Sequence, residues 1–315
     1  MERTGHGGSP IVLVHGFGTC TFLWRTVAPL LAMARHTAVA VDLLGHGESD
    51  RPIEADFGVA AQAEYLDRAL TALRIARALV VGVDVGGGVA LRLAATRPDR
   101  VSGLVLVNPV ALDALPGRDV RTLQRNTGRF ALRLSRGMFG ARTLLAPVLQ
   151  ASVADPTRMP ERLVARYLAP FVGADGASHL LDLARSLRQE EVEEIDLSAI
   201  GAPTLVVWGE ADRWLDAALP DRIVEALPGA RLVRLPNLGR LVPEEDPERL
   251  SALIAQHAAA VDAREHAREI ARELQVRGAD PVGRAPGGGF ATAAAEGEPD
   301  VTDARPALLA ADLRR

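Results

Sequence analysis

The sequence predicts an α/β fold in which helices cover a mostly parallel sheet, and three observations support this. Short apolar runs typical of buried strands alternate with longer stretches whose apolar residues follow helical spacing. One run, residues 79–83, leads through a glycine-flanked acid, Asp84, directly into a helical pattern. Hydrophobic residues make up 48% of the 315-residue chain, which allows a large buried core. Right-handed crossovers between such strands place helices on both faces of a parallel sheet.

Composition and charge favour a small molecule as the ligand. The formal net charge of −4 gives no reason to expect nucleic acid or an anionic membrane surface as a partner. The sequence G-x-x-x-x-G-K-[ST] is absent, and an acid in a glycine-rich turn would repel a phosphate, so nucleotide binding at Asp84 is disfavoured. We expect a small-molecule substrate, no cofactor and no metal ion, and the oligomeric state stays open.

Other features predict a soluble, cytoplasmic protein. The single cysteine, Cys20, excludes an internal disulfide framework. The N-terminus has neither a basic segment nor a long apolar run, and no apolar stretch approaches the roughly 20 residues that span a bilayer. All 36 basic residues are arginine, which is typical of a GC-rich genome and indicates an actinobacterial source.

The chain in order shows six apolar runs that predict strands. They cover residues 10–14, 36–41, 79–83, 101–107, 203–208 and 231–235. Helical spacing predicts helices at residues 22–34, 57–76, from 85 onward and from 247 onward. Residues 111–195 contain no convincing strand and are rich in Leu, Ala and Arg, so we expect helices there. Residues 277–315 have no periodicity, which predicts disorder.

Residues 79–90 form the centre of the predicted site. Gly82 and Gly86 lie two residues before and two residues after Asp84, so the strand and the helix can approach closely around a strained turn. The Asp84 side chain then points over the end of the sheet. Asp84 is therefore the first catalytic candidate, although an acid in this position also caps a helix without any catalysis.

Three motifs together resemble the α/β-hydrolase fold family, and the acid at the turn resembles its aspartate-nucleophile branches, the epoxide hydrolases and haloalkane dehalogenases. The motifs are H-G-F-G at 15–18, D-L-L-G-H-G-E-S at 42–49 and G-V-D-V-G at 82–86. Residues 1–9 leave no room for the two strands that family members carry first, so we expect a sheet without them. The resemblance implies a core of residues 1–110 and 197–276, a helical cap at 111–196 and a disordered tail at 277–315.

The resemblance also implies a catalytic triad, one member of which is replaced. The family order of nucleophile, acid and histidine matches Asp84 and Asp212, but the third place holds Arg240. A guanidinium, with a pKa above about 12, cannot act as a general base, so an ester formed on Asp84 would lack the usual means of hydrolysis. We expect Arg240 within hydrogen-bonding distance of Asp212 and near enough to bridge to Asp84. A structural ion pair left from a lost triad is the alternative.

Further residues are expected to complete the site. The backbone N–H groups of Phe17 and Val85 match the oxyanion hole of the family. The side chains expected to bind substrate are His15, Trp214, Tyr167 and His179. Two of them have ordinary alternatives, since His15 can bond to the backbone of its loop and His179 can be a surface residue of a helix. Val85 stands where haloalkane dehalogenases have a halide-holding tryptophan, so the resemblance to that branch is incomplete.

Three functions follow from these observations. The leading hypothesis is an enzyme with Asp84 as general acid/base or nucleophile, acting on a small, largely apolar substrate by elimination, cyclisation or isomerisation, reactions that need no activated water. The second is a conventional hydrolase of an epoxide, halide or ester, in which His179 or a bound water replaces the lost base. The third is a binding protein that retains the pocket without turnover. Fold alone does not separate them.

Overall fold

The computed structural model describes residues 1–124, 140–173 and 175–278. The chain divides into two compact units, Met1–Glu269 and Ile270–Arg315. The first unit contains the sheet and every candidate site residue. The described part of the second unit is residues 270–278, which are helical.

A seven-stranded sheet lies at the centre of the first unit. Its strands are β1 Glu2–Thr4, β2 Pro10–Val14, β3 Thr37–Val41, β4 Ala78–Val83, β5 Val101–Val107, β6 Thr204–Gly209 and β7 Arg231–Leu235. The spatial order is β1-β3-β2-β4-β5-β6-β7, and each neighbouring pair is parallel except β1 with β3. Strands β3 to β6 are buried throughout, as expected for parallel strands covered on both faces. The predicted mostly parallel sheet is confirmed.

The first residues differ from the prediction that no strand precedes β2. Strand β1 pairs antiparallel with β3, with Glu2 opposite Ala40 and Thr4 opposite Ala38. Sequence reasoning searched for an apolar run, whereas this three-residue edge strand is mostly exposed and has no apolar residue to reveal it. The expectation that both leading strands are missing is therefore corrected to include one short edge strand.

Helices connect the strands throughout the described residues. They are α1 Val27–Met33, α2 Val59–Ala72, α3 Val85–Thr96, α4 Arg118–Gln124, α5 Ala141–Ala151, α6 Glu161–Leu168, α7 Gly176–Ser186, α8 Glu190–Glu193, α9 Leu219–Ala226, α10 Val242–Glu245 and α11 Pro247–Gly278. Between β5 and β6 the described residues form helices and no strand, as predicted. The division into a core and a cap at 111–196 stays a prediction.

One predicted helix, at residues 22–34, is broken. Residues Thr21–Trp24 form a 3₁₀ turn, and α1 begins only at Val27. Pro29 explains the break, because in a continuous helix its ring would clash with the carbonyl group of Arg25. The break matters for packing, since the Arg25 guanidinium donates two hydrogen bonds of 2.6 Å to the carboxylate of Glu244.

The end of the described chain is one long helix. Helix α11 continues to Gly278, two residues into the segment predicted to be disordered. Residues 279–315 lie outside the described residues, so their disorder stays a prediction. Among the helices that the structure describes, none combines the length and the hydropathy of a membrane span.

Candidate active site

Asp84 lies at the turn between β4 and α3 in a strained backbone conformation. Its φ of 53° and ψ of −119° fall where residues other than glycine are uncommon. A Cβ atom on Gly82 would lie 2.3 Å from the carbonyl oxygen of Gly86, and one on Gly86 would lie 2.3 Å from that of His15. Both positions therefore require glycine for strand, turn and helix to meet. The predicted turn geometry around Asp84 is confirmed.

Both carboxylate oxygens of Asp84 accept hydrogen bonds, and the residue is only 4% exposed. Oδ2 accepts from the backbone N–H of Phe17 at 3.0 Å, and Oδ1 accepts from Nη1 of Arg240 at 2.8 Å. The backbone N–H of Val85 also favours the ionised carboxylate. The two N–H groups predicted to form an oxyanion hole thus act on Asp84 itself, and their action on a substrate stays a prediction.

Arg240 bridges two buried carboxylates, because its Nη2 donates to Oδ2 of Asp119 at 2.6 Å. Two carboxylates and one guanidinium give this acidic cluster, Asp84, Arg240 and Asp119, a formal charge of −1 when all three are ionised. The remaining oxygen of Asp119, Oδ1, is buried and has no hydrogen-bond partner in the part of the chain that the structure describes. A buried carboxylate oxygen without a partner costs stability.

The charge imbalance changes the acid–base properties of the cluster. Burial raises the pKa of the Asp84 carboxyl above its usual value, the charge of Arg240 opposes this shift, and the charge of Asp119 adds to it. Burial lowers the pKa of Arg240, but the charges of Asp119 and Asp84 outweigh it, so the pKa lies above its usual value. Arg240 therefore stays charged, and Asp84 is the group suited to take up and release a proton.

Asp212 is not a partner of Arg240, so the predicted hydrogen bond between them is wrong. Oδ1 of Asp212 accepts from the backbone N–H of Trp214 at 2.8 Å and of Leu215 at 3.3 Å. Its Oδ2 accepts from Nδ2 of Asn108 at 3.0 Å. The Asp212 carboxylate thus stabilises the turn that follows β6. Asp119, not Asp212, accepts the hydrogen bond from the second terminal nitrogen of the Arg240 guanidinium. Asp212 acts on Arg240 only through its charge.

Comparison with known proteins identifies the fold family. The sequence profile of the alpha/beta hydrolase fold family matches residues 9–247, a stretch that includes Asp84, Asp212 and Arg240. The chain belongs to the alpha/beta hydrolase fold family. Its parallel sheet and the strained turn at Asp84 agree with this assignment.

Two relatives show how far the likeness extends within the alpha/beta hydrolase fold family. The chain is 31% identical over 255 residues to the dihydrolipoyllysine-residue acetyltransferase component of the acetoin cleaving system of Pseudomonas putida, which covers 80% of this chain and 64% of that protein. The chain thus spans less than two thirds of that relative's length. It is 28% identical over 260 residues to haloalkane dehalogenase 2 of Mycobacterium tuberculosis, which covers 79% of this chain and 87% of that protein.

Two solved structures are similar to the whole sheet region of this alpha/beta hydrolase fold protein. An alpha/beta hydrolase fold protein from Burkholderia ambifaria superposes with a TM-score of 0.71 at 30% identity, covering 80% of this chain and 92% of that one. The epoxide hydrolase CorEH superposes with a TM-score of 0.70 at 23% identity, covering 82% and 94%. At 23% identity the likeness to CorEH shows the fold alone.

His15 and His179, which the sequence predicts to bind substrate, bond to backbone groups instead. Nδ1 of His15 lies 2.8 Å from the carbonyl oxygen of Gly16, and its Nε2 accepts from the N–H of Leu43 at 3.0 Å. Nε2 of His179 lies 2.6 Å from the carbonyl oxygen of Gly45. Buried loops need partners for their peptide groups, and these rings supply them. Neither histidine is hydrogen-bonded to Asp84, and their contact with a substrate stays a prediction.

Tyr167 and Trp214, also predicted to bind substrate, have different outcomes. The Tyr167 hydroxyl donates to Glu244, outside the acidic cluster, and its contact with a substrate stays a prediction. The Trp214 ring is half-buried, and its centre lies 5.9 Å from the guanidinium carbon of Arg240. Of the four side chains predicted to bind substrate, Trp214 is the one that borders the acidic cluster. Its contact with a substrate stays a prediction.

Within the described residues, the hydrogen-bond partners of the Asp84 side chain are Arg240 and the backbone N–H of Phe17. All seven histidines of this alpha/beta hydrolase fold protein lie in the described residues, and none is hydrogen-bonded to Asp84. Those residues also contain no group of three His, Cys, Asp or Glu side chains arranged to hold a metal ion.

Sequence reasoning missed Asp119. It lies in the first turn of α4, where an acid is common because it favours the helix N-terminus. Its partner Arg240 is 121 residues away, and no motif of the family marks the position. The sole signal available was an acid in a predicted helix, which does not distinguish a solvated residue from a buried ion pair.

Proposed function

We propose that this protein is an enzyme that uses Asp84 as general acid and base on a small, largely apolar substrate, in a reaction without activated water. Elimination, cyclisation and isomerisation are reactions of this kind. One observation carries the proposal: Arg240 donates a 2.8 Å hydrogen bond to Asp84 at the place where the resemblance calls for the histidine base.

The chemistry of arginine separates proton transfer from hydrolysis. A guanidinium stabilises a carboxylate but cannot take a proton from water near neutral pH. A covalent ester on Asp84 would therefore persist, because its hydrolysis requires an activated water. Proton transfer by Asp84 needs no second base, since the carboxyl group itself carries the proton.

The charge of the acidic cluster supports the same role. With Asp84 ionised, the buried cluster has a formal charge of −1, and one proton on Asp84 makes it neutral. Arg240 keeps its charge through both states, because the neighbouring carboxylates raise its pKa. Burial thus brings the two protonation states of Asp84 closer in free energy than in water, which is what general acid–base catalysis near neutral pH requires.

An aspartate-nucleophile hydrolase is the second candidate, favoured by the strained turn and by the hydrogen bond from Phe17. The N–H of Phe17 binds Oδ2 at 3.0 Å, which leaves Oδ1 as the oxygen that would attack an epoxide or alkyl halide. Arg240 donates a charged hydrogen bond to that oxygen, which stabilises the carboxylate and lowers its nucleophilicity. The likeness to a haloalkane dehalogenase gives this candidate further support.

Intact-mass analysis separates the two candidates. The protein is incubated with a panel of small epoxides and alkyl bromides, and the peptide containing Asp84 is examined for an adduct. We expect no adduct, and no turnover gained by Arg240→His. One adduct per chain on Asp84, released when Arg240→His restores a base, would establish the nucleophile role and contradict the proposal.

Deuterium transfer tests the acid–base role directly. The protein is incubated in D₂O with a small-molecule extract, and mass spectrometry detects compounds that gain deuterium or change structure. We expect Asp84→Asn to slow this reaction by about 10²–10⁴-fold, the usual contribution of a positioned acid or base. The matched control is Asp99→Asn, which changes an exposed acid and should have no effect. Equal rates for wild type and Asp84→Asn would refute the proposal.

A further inference from the structure

A cavity that no residue of the acidic cluster lines lies between the first helical turns of the chain and helix α6. Its volume is about 610 Å³, within the usual range of small-molecule sites. The residues that line it are Phe22, Arg25, Thr157, Arg158, Pro160, Arg162, Leu163, Arg166 and Glu244. None of these residues belongs to the acidic cluster, so this arginine cleft is a distinct feature.

Three arginines of the cleft carry unpaired positive charge. Arg162 and Arg166 lie four residues apart on α6 and therefore share one face of the helix, and Arg158 lies in the turn before it. All three line the cavity. Within the described residues, none of the three has a carboxylate within ion-pair distance.

The one acid that lines the cleft is already neutralised. Both oxygens of Glu244 accept 2.6 Å hydrogen bonds from Arg25, and the Tyr167 hydroxyl also donates to it. The Glu244 side chain is only 1% exposed, so its charge is compensated inside the protein. The accessible wall of the cleft is thus positive.

The cleft also offers an apolar surface. Two guanidinium groups contact the Phe22 ring, with the carbon of Arg25 at 4.3 Å from the ring centre and that of Arg166 at 4.9 Å. These cation–π contacts hold Arg166 over the cleft instead of leaving it free in water. Leu163 adds to the apolar wall.

We propose that the arginine cleft binds a small molecule that carries an anionic group, a phosphate or a carboxylate, on an apolar body. The guanidinium groups of Arg158, Arg162 and Arg166 bind the anion, because their fork geometry matches both oxyanions. The apolar body packs on Phe22 and Leu163. This site is independent of the acid–base role of Asp84 and does not rest on it.

Calorimetric titration of the full chain at low salt tests the site with four probes: hexyl phosphate, hexanoate, hexan-1-ol and inorganic phosphate. We expect the two amphipathic anions to bind, hexanol to bind at least about tenfold more weakly than either, and inorganic phosphate to bind weakly for lack of the apolar body. The more tightly bound anion identifies the head group. Binding of hexanol as tight as that of the anions would overturn the proposal.

A matched pair of double variants locates the binding. Arg162→Gln with Arg166→Gln removes two charges from the cleft, whereas Arg264→Gln with Arg268→Gln removes two exposed charges at the same spacing on α11. We expect the first to weaken binding by about tenfold or more and the second to leave it unchanged. The single variant Arg162→Gln breaks no ion pair among the described residues, and we expect it to weaken binding by less than the double variant does. It controls for a loss of binding that is caused by misfolding of the double variant. Equal affinity of wild type and the cleft variant, or no binding of either anion to wild type, would refute the proposal.

Discussion

Two buried ionic clusters lie at the ends of one short segment, residues 240–244, and they differ in charge. The acidic cluster at one end has a formal charge of −1. The cluster at the other end, which we call the balanced cluster, has one cation and one anion and consists of Arg25, Glu244 and Tyr167. The same few residues of chain thus hold one cluster with excess negative charge and one without.

The two clusters also differ in how completely they are hydrogen-bonded. Both oxygens of Glu244 accept from donors in the balanced cluster. In the acidic cluster Oδ1 of Asp119 is unpartnered in the described structure, and Asp84 has a strained φ of 53°. Strain and excess charge lower stability, and they are expected where function requires them. The acidic cluster thus combines the strain and the incomplete hydrogen bonding that the balanced cluster lacks among the described residues.

Among the variants that test the difference between the two clusters, Arg240→Gln is expected to lower the free energy of unfolding most. It leaves two buried carboxylates without a cation, so we expect the free energy of unfolding at pH 7 to fall by about 3–5 kcal/mol, the usual cost of breaking a buried pair. Urea unfolding measures it. Arg234→Gln is the control, because its partner Asp221 is exposed and such pairs contribute about 0–1 kcal/mol. Equal losses in the two variants would show that the acidic cluster is not held by Arg240.

The balanced cluster is tested by Tyr167→Phe. Loss of a hydrogen bond to the charged Glu244 should lower the free energy of unfolding by about 1.5–3 kcal/mol. The chain offers a matched control in Tyr65→Phe, since Tyr65 is partly exposed and its hydroxyl makes no hydrogen bond in the described structure. A change in Tyr167→Phe no larger than in Tyr65→Phe would contradict the assignment of a structural role.

The pH dependence of stability distinguishes the acidic cluster by its sign. The pKa of Asp84 is raised in the folded state, mainly by burial, so the unfolded chain loses this proton first as the pH rises. Stability linked to Asp84 is thus fully present below about pH 4 and declines as the pH rises through the raised pKa. The decline is about 1.4 kcal/mol for each pH unit that separates the pKa of the unfolded chain from that of the folded protein. Asp84→Asn should remove that decline.

Asp113→Asn is the control for this pH dependence. The hydrogen bond from Arg222 lowers the pKa of Asp113, so the stability linked to this exposed acid is present above its usual pKa and is lost as the pH falls. Asp113→Asn should therefore change the pH dependence of stability in the opposite direction to Asp84→Asn. The change should also be smaller than that caused by Asp84→Asn. Chemical unfolding at intervals from about pH 2 to about pH 9 gives both profiles, since the Asp113-linked change lies below about pH 4. A wild-type profile that Asp84→Asn leaves unchanged would contradict the raised pKa.

The smallest effect is expected from Asp212→Ala. Its carboxylate holds the backbone N–H groups of Trp214 and Leu215, so we expect a loss of about 0.5–2 kcal/mol, as for other side chains that cap backbone donors. The Asp84-linked pH profile should persist, because Arg240 is held by Asp84 and Asp119. If Asp212→Ala abolished the Asp84-linked pH dependence, Asp212 would have to be a member of the acidic cluster.

The sequence by itself determined the fold and the centre of the site, because both depend on short-range patterns. Apolar runs located β2 to β6, since a buried parallel strand must be apolar along its length, and β7 was located although it is only partly buried. The spacing of Gly82, Asp84 and Gly86 determined the strained turn through steric limits that act over a few residues. The arginine at position 240 excluded a general base at that place from its chemistry alone.

The tertiary structure alone decided which groups surround Asp84. The sequence predicted Asp212 as the partner of Arg240, but the fold brought in Asp119 from a helix 121 residues away in the chain. A long arginine side chain can reach several acids. Which acid it contacts depends on the paths of the loops in three dimensions, and the spacing of residues in the sequence does not specify those paths. The short edge strand β1 and the backbone hydrogen bonds of His15 were likewise decided by contacts distant in sequence. Partners distant in sequence set the charge of the site, and therefore its chemistry.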